Sequence, residues 1–109
     1  MAHAIIDLMT GVMASDILLL DIAEVTTIAD YFIIATGETE RQRRAIVDQV
    51  TEQMRAEFAL RPLSVEGGDS GWTLLDYGAV VVHLFSPEQR GFYRLEQLWS
   101  AAKTVVRIA

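Results

Sequence analysis

Few residues of this chain are placed for chemistry. His83, in the middle of VVVHLF, is the best candidate for a base or a ligand, yet a metal site needs at least three converging donors and His3 is the only other histidine. There is no cysteine, which removes disulfides, thiolate nucleophiles and cysteine-based zinc sites together. A histidine among valines is expected to be a hydrogen-bonded core residue, with pH sensing as its alternative role. Arg41, Arg43 and Arg44 form the one basic cluster, and at a helix start they are expected to be a solvated face. No cofactor and no metal are expected from this inventory. Fifteen acidic against nine basic residues give a net charge of −6, which disfavours binding to a phosphate backbone, DNA included, and suits a basic protein partner.

The chemistry left is that of contact. In GWTLLDYGAVVVHLF, residues 71–85, two apolar segments flank a two-residue break at Tyr77-Gly78, where glycine permits a tight reversal. Val80, Val82 and Leu84 share one face of the second strand, and Val81, His83 and Phe85 the other, so that strand wants cover on both sides. In the first strand Trp72 and Leu74 share a face with Asp76, while Thr73 and Leu75 share the other with Tyr77, a mixture suited to a strand near a sheet edge. Each residue has a plain reading beside the functional one. Trp72 caps the core or anchors a partner; Asp76 binds local backbone N–H groups or pairs with a basic side chain; Tyr77 packs on the turn or offers its ring. Leu75 lies with the residues of the covered face.

These residues must be held by elements that the rest of the chain supplies. The 109 residues, 51 % of them hydrophobic, make one domain with a single core. The start, MAHAIIDLMTG, lacks the pattern of a cleaved leader, and no apolar run approaches the roughly 20 residues that span a bilayer, so a cytoplasmic protein with no membrane contact is expected. Helices are predicted over residues 4–13 and 40–59, the second capped by Thr39 and carrying Ile46, Val50, Met54 and Phe58 at four-residue steps. Strands are predicted over 16–21, 31–36 and 61–66, and again over 72–76 and 79–85 in the hairpin, with residues 67–71 a loop. Pro87 opens a last helix with Phe92, Leu95, Leu98 and Trp99 on its apolar side. The order α-β-β-α-β-β-β-α points to an α/β fold, a mixed five-stranded sheet flanked by helices.

ADYFIIATG (29–37), RPLSVEG (61–67), WTLLDYGAVVVHLF (72–85) and FYRLEQLW (92–99) occur in an order and spacing that resemble the ribosomal silencing factor family, also called RsfS or Iojap-like. The likeness covers residues 15–99 and makes the whole chain, 1–109, one such domain. It departs at Ala79, where the family often has an acidic residue, and in its short first helix. The resemblance implies a nucleotidyltransferase-like fold without enzymatic activity. It implies binding to ribosomal protein fourteen of the large subunit, which blocks joining of the small subunit and represses translation, and a homodimer when free. With it, the partner-binding residues are expected to be Trp72, Leu75, Asp76 and Tyr77. Trp72, Tyr77 and Trp99 are hard to bury in one small core, which favours a two-fold dimer on physical grounds as well.

Two other roles stay open, a dimeric interaction module with a different target and a degenerate nucleotide-binding domain. Nucleotidyl transfer needs a glycine-serine turn and carboxylates gathered round a divalent metal. Thr36-Gly37-Glu38 stands where that turn would be sought, no Asp-x-Asp or Asp-x-Glu pair lies on a following strand, and Glu38 and Glu40 are at a helix start, which favours acids in any case.

Overall fold

The computed structural model describes residues 1–67, 71–94 and 102–108. In chain order the elements are α1 (Ala2–Gly11), β1 (Ser15–Asp21), β2 (Tyr31–Thr36), α2 (Glu40–Phe58), β3 (Ser64–Glu66), β4 (Trp72–Asp76), β5 (Val80–Phe85), α3 (Pro87–Tyr93) and β6 (Lys103–Ile108). The strands form one mixed sheet in the order β3-β4-β5-β2-β1-β6. Strands β2 and β5 run parallel, from Tyr31↔Val80 to Thr36↔Phe85, and every other neighbouring pair is antiparallel. The α/β fold with a mixed, helix-flanked sheet is therefore the one expected, with six strands in place of five. The additional strand, β6, pairs with β1 at the sheet edge, where its mostly exposed residues give little apolar signal.

Alternation decides what each face of the sheet buries. On one face Ile17, Leu19, Ile33, Ala35, Leu75, Tyr77, Val80, Val82 and Leu84 pack with Ile5, Ile6 and Met9 of α1 and Ile46, Val50 and Met54 of α2. On the other, Leu18, Leu20, Phe32, Ile34, Val81 and Phe85 gather with Ile22 and Ala29, and Trp72 and Leu74 pack against their margin. The assignment of β5 side chains to two covered faces is what the structure contains.

Several boundaries shift for physical reasons. Helix α2 begins where Thr39 accepts a hydrogen bond from the Gln42 amide at 3.0 Å, but Phe58 is 49 % exposed. With about 3.6 residues per turn, each four-residue step advances roughly 40° round the helix, so a stripe centred on Ile46 has turned away from the core by Phe58. Strand β3 is shorter than expected, because Arg61 and Pro62 precede the ladder; its position at an edge suits the proline. The hairpin pivots on Gly78 and Ala79, one residue later than the expected break, with Tyr77 N–H donating to the Val80 carbonyl at 2.9 Å. Gly78 takes a positive φ of 87° there, a conformation that costs glycine little. Helix α3 starts at Pro87 over a Ser86 cap. Its expected continuation through Leu95, Leu98 and Trp99, and the side chain of Phe92, lie outside the described residues.

The drift of the α2 stripe has a direct test. Met54→Ala, at a fully buried site, is expected to cost about 2–5 kcal/mol in urea denaturation, and Phe58→Ala less than about 1 kcal/mol. Equal costs would place Phe58 in the core.

Candidate partner-binding site

The four expected contact residues do not share one face. Leu75 and Tyr77 are 1 % and 8 % exposed and belong to the helix-covered core, while Trp72 and Asp76 are half-buried on the opposite face of β4. Burial raises the pKa of the Tyr77 hydroxyl above its ordinary value. Tyr77 is thus buried in this core, its hydroxyl meeting no hydrogen-bond partner among the described residues, contrary to the expectation that its ring would be left over.

Asp76 has a local role: its Oδ1 accepts from the Gly78 amide at 2.8 Å and stitches the turn. Trp72 is fixed by more. Its ring stacks on Phe85, its directly opposed neighbour, with centroids 5.0 Å apart. Its indole N–H donates to His83 Nδ1 at 3.2 Å. On the chain side, Gly67 (φ 103°) brings the backbone so close that a Cβ there would lie 1.8 Å from the Trp72 carbonyl oxygen. The approach of the β3–β4 connection therefore requires glycine. Beside the indole an open groove of about 280 Å³ is lined by Glu66, Gly67, Trp72 and Leu74, which join two large apolar side chains to one exposed acidic residue.

His83 lies under this surface as the expected core histidine, 5 % exposed, with its ring meeting Phe32 edge-on at 4.7 Å. Since Nδ1 accepts, the proton of the neutral ring sits on Nε2, which meets no hydrogen-bond partner among the described residues. Burial disfavours the imidazolium and lowers the pKa to about 4.

The other sequence candidates are accounted for by structure. Arg41 and Arg44 are exposed, with Arg44 paired to Glu40 at 3.0 Å, whereas Arg43 folds back to the Gly37 carbonyl at 2.8 Å. Its Cγ would lie 2.5 Å from a Cβ at Gly37, so the Thr36-Gly37 corner is roofed by that side chain. Thr36 Oγ1 accepts from Arg90 at 3.0 Å. Among the described residues no three His, Asp or Glu side chains converge as metal ligands, and no described helix is long and apolar enough to cross a membrane. Sequence reasoning missed Leu74, Glu66 and Gly67 as parts of the groove, although Leu74 shares a strand face with Trp72 by simple alternation.

The described residues thus form a small α/β domain with a mixed six-stranded sheet and a groove beside Trp72 near the β3 edge. Its sequence matches the family described as "Ribosomal silencing factor during starvation" over residues 1–108. The ribosomal silencing factor RsfS of Bacillus subtilis is 40 % identical over 90 residues, 82 % of this chain and 75 % of that protein. A crystal structure of a Chromobacterium violaceum protein superposes with a TM-score of 0.85 at 30 % identity, covering 99 % of this chain and 90 % of the other. One from Bacillus halodurans gives 0.81 at 28 %, covering 96 % and 95 %. The chain belongs to the ribosomal silencing factor (RsfS) family.

The depressed His83 pKa fixes the sign of a pH effect. Between an unfolded value near 6.5 and a folded value of about 4, the unfolded chain takes up a proton that the native state refuses, so stability falls as pH drops through that window. At 1.36 kcal/mol per unit this amounts to about 3 kcal/mol by pH 4. Urea denaturation at pH 7 and pH 4.5 is expected to show a decline that is smaller by about 2 kcal/mol in His83→Phe. The same decline in both proteins would contradict a neutral, buried His83.

Proposed function

We propose that this chain is a non-enzymatic repressor of translation in the cytoplasm. It docks on ribosomal protein fourteen of the large subunit, and its bulk keeps the small subunit from joining. The observation that carries this reading is the half-buried Trp72 indole beside a groove that Leu74 and Glu66 also line. An aromatic anchor in a small apolar pocket is where interfaces concentrate affinity, and a chain of net charge −6 attracts a basic ribosomal protein and resists bare RNA. Membership of the silencing-factor family supports the same partner class. No chemical step is needed, because a body of 32 × 31 × 23 Å seated at the subunit interface excludes whatever else would occupy that volume.

In this reading Trp72 and Asp76 touch the partner. Leu75 and Tyr77, buried beneath them, hold β4 and the turn in shape. When no ribosome is present the chain forms a homodimer, for which Leu63 and Val65, 77 % and 52 % exposed at the β3 edge, supply apolar surface that self-association would cover.

Trp72→Ala is expected to weaken co-sedimentation with isolated large subunits by about 2 kcal/mol or more while the far-ultraviolet dichroism stays native. Unchanged binding with an intact fold would refute the anchor. Asp76→Asn retains an acceptor for the Gly78 amide, whereas Asp76→Lys brings a like charge to a basic partner, so the lysine variant should lose more affinity. Equal losses would confine Asp76 to the turn. Light scattering of the free protein tests the dimer, which a strict monomer at high micromolar concentration would exclude.

A further inference from the structure

Trp72 and His83 are diagonal neighbours across the β4–β5 ladder, since Trp72 opposes Phe85 and Leu74 opposes His83. Diagonal side chains on one sheet face are within reach when one of them is long and aromatic. The indole is held on its face by Phe85 at 5.0 Å and at its N–H by His83 Nδ1 at 3.2 Å. His83 cannot readily turn away: it is 5 % exposed, stands edge-on to Phe32 at 4.7 Å and lies nearly parallel to Phe85, 12° between ring planes. An apolar residue would fill this place without leaving Nε2 unmet among the described residues. What histidine adds is an acceptor aimed at Trp72.

We propose that His83 is the positioning residue of the docking surface: from inside the sheet its Nδ1 holds the Trp72 indole in one orientation, so that the partner meets an anchor already set. This rests on the docking reading above. A partly exposed tryptophan whose N–H has lost its acceptor gains rotational freedom, and freezing that freedom on association weakens binding. A prior hydrogen bond removes that cost, so affinity for the large subunit depends on a residue that stays beneath the contact surface.

The test has two arms. In the free protein the Trp72 indole N–H, assigned by its disappearance in Trp72→Phe, is expected to exchange slowly with solvent, and the ¹⁵N shift of His83 Nδ1 to be that of an acceptor. His83→Phe should release the N–H to fast exchange. His83→Asn, whose Oδ1 stands where Nδ1 did, should retain its protection. In the second arm, titration against isolated large subunits, His83→Phe is expected to weaken binding about three- to tenfold, and His83→Asn to recover most of the loss. On a Trp72→Phe background, which has no N–H to hold, the His83 substitution should cost nothing further. Fast exchange in the wild-type chain overturns the proposal without any variant, as does an undiminished His83 effect on the Trp72→Phe background. Should the wild-type chain fail to bind large subunits at all, the docking reading falls, while the exchange arm still decides the clamp.

Discussion

Strand β5 cannot be placed at a surface. Its six residues, VVVHLF, are all 5 % exposed or less, three on each side of the sheet, and both sides therefore need cover. This constraint organises the chain. It sets β5 between β4 and the equally apolar β2, and it draws α1 and α2 over one face. The second apolar cluster forms on the other. A parallel β2–β5 pair requires a long crossover, and α2 with the two strands after it is that crossover.

The same constraint yields the candidate site. With β5 committed to the interior, β4 is one strand from the edge, and its side chains fall into two unequal sets. Leu75 and Tyr77 go under the helices, and Trp72, Leu74 and Asp76 onto the less covered face. The edge strand β3 is only three residues long. The groove beside Trp72 lies there, lined in part by Gly67, whose close approach to the Trp72 carbonyl leaves no room for a Cβ. One ladder thus serves both the core and the indole, since Phe85 and His83 are core residues on the inner strand and also ring contacts of Trp72 on the outer.

Most of this architecture was legible in the chain. Alternation alone separates Trp72 from Leu75 and Tyr77, so the expectation that all four touch one partner already sat uneasily with the strand that carries them. The Trp72–His83 hydrogen bond was not legible, because it depends on register. A turn centred on Tyr77-Gly78 would set Trp72 squarely opposite His83, whereas the observed turn, one residue later, opposes Trp72 to Phe85 and makes His83 the diagonal neighbour. Both registers keep every side chain on its face, so hydrophobic pattern cannot choose between them. Strand β6 escaped for a different reason: at an edge, with Lys103 and Arg107 among its residues, KTVVRI buries too little to announce itself. Phe58 shows the converse error, an apolar residue in apparent step with a stripe that the helix had already rotated away.

The proposed docking sets the sheet face bearing Trp72, and not the helix face, against the ribosome. Site-specific photocrosslinking tests it most directly, with a photoreactive phenylalanine at position 74 in one variant and at position 48, exposed on α2, in another, each incubated with isolated large subunits. The expected result is a crosslink to ribosomal protein fourteen from position 74 and none from position 48. A crosslink from position 48 alone, or from position 74 to ribosomal RNA or another protein, would contradict it.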